Sequence, residues 1–301
     1  MRIAVTGSTG FIGSALVGSL LADGHEVVRL VRRRSRTGPQ ADGTTAIGWN
    51  PLLMEIDRAG LAGVEAVVHL AGAGVGDHRW TDRYKREIRE SRVLGTETLA
   101  AALAEAGQPP RVLVSASAVG YYGQTGDRVI DEDSPAGDDF LAQVCVEWEA
   151  AARPAAEAGV RVVHPRTGLV LSAAGGAGAR LFPLFRLGLG GRLGSGSQYW
   201  SYISLADEIA ALRFLIDHPD IEGPVNLTAP EPVTNRELTA ALGKALGRPT
   251  PFPVPEAALK AVLGELAVEV AGSHRVVPGR LLEAGFRFRH PDVGSAVRAA
   301  L

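Results

Sequence analysis

The chain has a single cysteine, Cys145, among 301 residues. One thiol can form no intrachain disulfide and cannot assemble a cysteine-based zinc site. The residue reads as a small buried hydrophobe rather than a reactive thiol. Lysine is nearly as scarce. Lys85, Lys244 and Lys260 are the only lysines, so arginine carries almost all the positive charge, a bias that a GC-rich genome accounts for. The net charge of −2 gives no electrostatic reason to expect nucleic acid or an acidic membrane surface as partner. No apolar run approaches the roughly 20 residues needed to span a bilayer, and no basic-then-apolar leader precedes the first strand pattern at Arg2. A soluble, cytoplasmic chain is expected, with no metal (no His/Asp/Glu spacing fits one) and no repeat of fixed period.

What the sequence does contain is alternation. Short β-branched or apolar runs are predicted as strands at Arg2–Thr6, Glu26–Val31, Ala66–Leu70, Arg111–Ala116 and Val160–His164, with weaker ones at Thr45–Gly48 and Val225–Thr228. Helical spacing fills the gaps: Phe11 to Asp23-Gly24, Thr81 to Ala106, Phe140 to Ala152 and Leu205 to Asp217. Pro154 should end or kink the third of these. The pattern predicts an α/β fold, a Rossmann-type doubly wound parallel sheet, over residues 1–233. The glycine-rich stretch 172–201 is read as contributing to the substrate side. Residues 234–301, with the cluster Pro249, Pro251, Pro253 and Pro255, are read as a smaller, mainly helical C-terminal lobe.

Thr6-Gly7-Ser8-Thr9-Gly10-Phe11-Ile12-Gly13 follows a strand and opens a helix, the context a dinucleotide fingerprint requires. Gly7 permits the tight turn, Gly10 lets the backbone approach a pyrophosphate, and Gly13 lets the helix pack close to the strand. Free N–H groups at the helix start would meet the phosphates. An acidic residue usually holds the ribose hydroxyls of NAD at the end of the second strand. Here Arg29-Leu30-Val31-Arg32-Arg33-Arg34 has none. Arginine forks suit a 2′-phosphate, so NADP(H) is the expected cofactor, a solvated basic turn being the plainer alternative.

Together with His69-Leu70-Ala71-Gly72, Ser115-Ala116-Ser117 and Gly95-Thr96, the glycine loop resembles an extended short-chain dehydrogenase/reductase, the group containing nucleotide-sugar epimerases. More narrowly, the chain is similar to the subgroup labelled "epimerase family" or NAD-dependent epimerase/dehydratase-like. Ser117-Ala118-Val119-Gly120-Tyr121-Tyr122-Gly123, Arg166-Thr167-Gly168-Leu169-Val170-Leu171-Ser172 and Phe185-Arg186-Leu187-Gly188-Leu189-Gly190-Gly191 carry that match. Arg280-Leu281-Leu282-Glu283-Ala284-Gly285-Phe286 is similar to the subgroup's small C-terminal domain of unknown function. The resemblance implies that Gly7, Thr9, Gly10, Phe11, Ile12 and Gly13 meet the cofactor's pyrophosphate and Arg32 and Arg33 its 2′-phosphate. Leu70, Ala71, Gly72, Arg92, Ser115, Pro165 and Arg166 would lie along the remainder.

One departure from the family pattern bears on chemistry. Such reductases move a proton with a tyrosine whose pKa is lowered by a lysine four residues later, because an unperturbed tyrosine is a poor base near neutrality. No Tyr-x-x-x-Lys occurs in this chain. The family pattern places Leu141 and Cys145 at those two positions, and Arg92 where an asparagine usually precedes Gly-Thr. Ser117 survives, and Tyr121 and Tyr122 are the nearest replacements by sequence, though packing over the cofactor is the plainer role for the pair. His78, in the loop after the fourth strand, and His164, beside Pro165, are read as an exposed loop residue and a packing residue. Asp207 is read as a helix cap, and Gln198, Trp200 and Ser201 as pocket lining. Two functions stay open: an NADP(H)-dependent reductase or epimerase acting on a small, possibly nucleotide-linked, carbonyl or hydroxyl substrate, and a non-catalytic NADP(H)-binding sensor or scaffold.

Overall fold

The computed structural model describes residues 1–32 and 37–301. Seven parallel strands form its spine: β1 (Arg2–Thr6), β2 (Glu26–Val31), β3 (Thr45–Asn50), β4 (Ala66–His69), β5 (Val112–Ser115), β6 (Arg161–Thr167) and β7 (Gly223–Leu227). Their order across the sheet is β7-β6-β5-β4-β1-β2-β3. β1 therefore has β2 on one side and β4 on the other, and strand order reverses there. In open α/β sheets that reversal opens a crevice outside the carboxyl ends of the strands, where ligands bind.

Side chains alternate faces along each strand, so each strand feeds two cores. Ile3, Val5, Val68 and Val114 pack against α1 (Phe11–Ala22) with Leu16 and Leu20. Ala4, Val28, Val67 and Leu113 pack on the other face against Leu99 and Leu103 of α2 (Asp82–Ala104). Buried on both faces, these strands are continuous apolar runs. α3 (Phe140–Ala150) follows β5. The helix does stop before Pro154, and that proline then occupies the first turn of α4 (Arg153–Glu157), where a missing N–H costs nothing.

Beyond β6 the chain leaves the sheet and returns to it only for β7. Leu169–Leu171 pairs with Tyr202–Ser204, and Tyr199–Trp200 pairs with Val233–Thr234. α5 (Gly176–Arg186), α6 (Leu205–Asp217) and α7 (Asn235–Leu246) are followed by four short helices: α8 (Glu256–Leu263), α9 (Leu266–Val270), α10 (Gly279–Glu283) and α11 (Val293–Ala300). Phe182, Tyr202, Leu238, Leu242 and Val297 make a separate core between α5, α7 and α11, whereas α6 packs on the sheet. The expected boundary at 233/234 thus falls inside a strand pair.

The C-terminal region is stitched back into the first. Thr125 N–H donates to Ser273 O at 3.0 Å, Ile130 N–H to Arg275 O at 2.9 Å and Val277 N–H to Ile130 O at 2.9 Å. Ser201 Oγ accepts from Val276 N–H at 2.7 Å, so it serves this seam rather than lining the cavity. Gln198 likewise turns inward, donating to Leu193 O. Asp207 lies in the first turn of α6, capped by Ser204, and accepts the N–H groups of Arg289 and His290. Among the described residues no helix is long and apolar enough to cross a membrane.

Candidate functional site

At the carboxyl end of β1 the chain turns through Gly7, whose φ of +62° few residues other than glycine adopt. A Cβ there would lie 2.7 Å from the Leu70 carbonyl, and one on Gly13 only 2.2 Å from Gly7 O. Gly7 and Gly13 are therefore fixed by close backbone approach, as the fingerprint requires. Gly10 N–H closes the turn onto Gly7 O at 2.9 Å and caps α1 without a side-chain hydrogen bond among the described residues. The first N–H groups of α1, from Phe11 and Ile12 onward, are left for a ligand.

The β4 side of the crevice is tied to the β1 side by Thr6. Its hydroxyl accepts the N–H groups of Leu70 (3.1 Å) and Ala71 (3.2 Å) and lies 2.7 Å from His69 Nδ1. With both lone pairs engaged, the hydroxyl proton goes to Nδ1, so His69 carries its own proton on Nε2. Burial, and secondarily Arg92, push the His69 pKa down to about 4, so the ring is neutral. Sequence reading did not single out Thr6. Its signal was the hydroxyl immediately before the first glycine.

These segments floor a cavity of about 920 Å³, lined by Gly7–Gly10, Leu30–Arg32, Trp49–Leu52 and Leu70–Gly74, with the start of α2 opposite. Arg32 lies at its rim, and Arg33 falls outside the described residues. Ser8 Oγ, also in the lining, is buried with no hydrogen-bond partner among the described residues. His78 lines the cavity too, edge-on to Tyr84 at 4.9 Å. The volume, the uncapped helix and the orphaned hydroxyl fit a dinucleotide laid across β1.

Ser117, Tyr121, Tyr122 and Arg166 lie elsewhere, in a buried polar chain beside β6. Ser117 Oγ donates to Glu149 Oε1 at 2.7 Å. Arg166 grips the same carboxylate with Nε at 2.8 Å and Nη2 at 2.9 Å. Its Nη1 donates to Tyr122 OH at 2.9 Å, and that hydroxyl donates to Asn226 Oδ1 at 2.7 Å. The guanidinium stacks on the Tyr121 ring, 3.4 Å from its centroid. Burial opposes the Arg166 charge, but the Glu149 carboxylate and Tyr122 hydroxyl outweigh it and hold the proton more firmly than usual. Burial lifts Tyr122 to about 12 despite Arg166. A phenol with both bonds committed and its pKa raised is unsuited to proton transfer, and of the two tyrosines only Tyr121 keeps a free hydroxyl among the described residues. Glu149 and Asn226 escaped sequence reading; Glu149 could have been found four residues beyond Cys145, on the same helix face.

α3 carries Leu141 and Cys145 past the segment that follows β5. A Cβ on Gly120 would lie 3.4 Å from the Leu141 Cβ, and the Cys145 thiol points to Ala118 O at 3.9 Å. Burial raises Cys145 to about 12, an inert thiol. Ser115 and Pro165 are buried in their strands, and His164 is a packed residue with Nδ1 unpartnered among the described residues. Arg92 lies against Gly72.

Comparison with known proteins agrees with this architecture. Residues 3–227 match the model of the NAD dependent epimerase/dehydratase family, and residues 254–300 match a domain of unknown function, DUF1731. An epimerase family protein of Mycobacterium bovis is 50% identical over 296 residues, covering 98% of this chain and 96% of its own. Epimerase family protein SDR39U1 of Bos taurus is 39% identical, covering 100% of both chains. The crystal structure of human SDR39U1 with NADPH superposes with a TM-score of 0.91 at 36% identity, covering 100% of this chain and 99% of that one. Matched from the glycine loop through β7 and again in its C-terminal helices, the chain belongs to the NAD dependent epimerase/dehydratase family.

Proposed function

We propose that the chain binds NADP(H) across β1 and acts as a reductase or epimerase on a small carbonyl or hydroxyl compound. The observation that carries the cofactor assignment is the turn held by Gly7 and Gly13, where an added Cβ would come within 2.2–2.7 Å of backbone atoms, opening into the cavity that ends at Arg32. The human relative solved with NADPH supports the phosphorylated form. In this reading Gly7, Thr9, Gly10, Phe11, Ile12 and Gly13 hold the pyrophosphate, Arg32 and Arg33 the 2′-phosphate, and Leu70, Ala71 and Gly72 the span beyond. Ser115 and Pro165 act from the strand ends beneath it.

When bound, the nicotinamide supplies or accepts a hydride. Ser117 is the first candidate for a substrate oxygen in this reading; its hydroxyl proton is held by Glu149, itself fixed by Arg166, so it serves a substrate only by turning from that carboxylate. Tyr121, stacked on Arg166, is the second candidate. Tyr122 braces Arg166 rather than reacting.

Titration of the purified protein with NADPH and NADH, followed by nicotinamide fluorescence, tests the assignment. NADPH should bind at least about tenfold tighter. Absence of binding for both at millimolar concentration overturns it.

The second reading, a non-catalytic NADP(H) sensor or scaffold, is favoured by one observation: Leu141 and Cys145 leave no proton-transfer pair on α3. It predicts tight NADPH binding with no oxidation across a broad carbonyl panel, unchanged by Ser117→Ala.

A further inference from the structure

Residues 74–80, between β4 and α2, form a hook with two sides. Asp77 N–H closes onto Gly74 O at 3.2 Å, and from α2 the Tyr84 hydroxyl donates to the same oxygen at 2.5 Å. Trp80 Nε1 donates to Val75 O at 2.9 Å. The inner side, through Gly74, Asp77 and His78, is part of the cavity wall. The outer side is held by elements that follow β6. Arg180 of α5 donates from Nη1 to Gly76 O, and its Nη2 lies 3.4 Å from Asp77 Oδ1. Arg79 Nη2 donates to Ala261 O of α8 at 3.2 Å, and Lys85, near the start of α2, pairs with Glu265 just before α9. A Cβ on Gly76 would come 4.0 Å from Leu266 Cδ2, so α9 lies against the tip of the hook.

The packing on either side of this junction is stronger than the contacts across it. The hook rests on its own cluster, Val75 and Trp80 against Tyr84, Ile88 and Val144. α5 is sunk by Phe182 and Phe185 into the core it shares with α7 and α11, and α8 and α9 pack with Leu193 through Leu259 and Ala267. Arg79 and Arg180, which join the two, are exposed, and exposed polar contacts of this kind are individually weak. Elsewhere the same C-terminal region is bound to the first by the backbone hydrogen bonds of the seam at Ser273–Val277. One edge is therefore fixed and the other, at the far end of the cavity from Arg32, is lightly fastened.

We propose that Arg79 and Arg180 are a latch: through them α5 and α8 hold the hook against the nicotinamide half of a bound dinucleotide, and both must let go before it leaves. The seam is the edge about which the latch opens. This rests on the cofactor assignment above and adds to it a control on exchange, since neither arginine lines the cavity.

Stopped-flow release of two ligands tests it, read by tryptophan fluorescence, to which Trp49 in the cavity wall contributes. The ligands are NADPH and 2′,5′-ADP, which keeps the phosphorylated adenosine but lacks the nicotinamide half. Arg79→Ala combined with Arg180→Ala should quicken NADPH release about tenfold and leave 2′,5′-ADP within about twofold of wild type. Hydrogen exchange gives a second readout: NADPH should slow exchange over residues 256–270 in wild type and not in the double variant. Unchanged NADPH release, an equal quickening of both ligands, or protection confined to the cavity wall in wild type overturns the proposal. If the double variant does not fold, Arg180→Ala alone decides: NADPH released about threefold faster with 2′,5′-ADP unchanged supports it, and wild-type rates for both refute it. A wild type that binds neither ligand brings down the cofactor assignment itself, with this inference following.

Discussion

Glu149 and Arg166 face each other squarely, two guanidinium nitrogens on two carboxylate oxygens at 2.8 and 2.9 Å, with side chains only 13% and 3% exposed. Removing one member strands the other's charge. Glu149→Ala should therefore cost about 3–5 kcal/mol, read as a shift in the urea unfolding midpoint. Glu149→Ala combined with Arg166→Met should recover much of it. A double variant as unstable as the single one would show that the pair is not what holds this region.

Thr6→Val tests the clamp across the crevice. The substitution keeps the shape but leaves Leu70 N–H, Ala71 N–H and His69 Nδ1 without their shared oxygen. A loss of about 2 kcal/mol in stability is expected, together with weaker NADPH binding. Wild-type stability and affinity in this variant would refute the role given to Thr6.

Gly13→Ala places a Cβ 2.2 Å from Gly7 O. α1 must then move off the turn, and NADPH affinity should fall more than about tenfold, since the phosphate-facing N–H groups move with it. Circular dichroism separates this local loss from unfolding.

Arg32→Ala addresses selectivity alone. Arg32 stands at the cavity rim, so its loss should weaken NADPH while sparing NADH, compressing their affinity ratio by about tenfold. An unaltered ratio would move 2′-phosphate recognition to other groups.

Glu208 gives a pH dependence. Burial lifts its carboxyl to about 8, against one bond from Thr167 Oγ1 at 2.9 Å. Its folded pKa is above the ordinary 4.5, so the folded state holds the proton more firmly. Its contribution is complete below the ordinary value and is lost as pH rises through about 8. Wild-type Tm should fall across that window, and Glu208→Gln should flatten the curve. Parallel curves would refute the assignment.

Local features were legible in the sequence because each depends on neighbouring residues. The Leu205–Asp217 helix carries its own spacing, and the glycine loop its own geometry. The polar chain was not legible, since Ser117, Glu149, Arg166 and Asn226 come from four separate segments and meet only when β5, β6, β7 and α3 are assembled. Tyr122 was named from its place beside Tyr121, but which of two adjacent tyrosines turns inward is settled by packing against Ile130 and Val276. Pro154 could be foreseen as a stop, not as the start of α4.

The seam at Ser273–Val277 also orders the birth of the molecule. Thr125, Ile130 and Asn226 are each translated before their partners Ser273, Arg275 and Val277. The sheet and the glycine turn can form while the polypeptide is still being extended. The Nδ2 donor of Asn226 gains its acceptor only once Val277 has been translated.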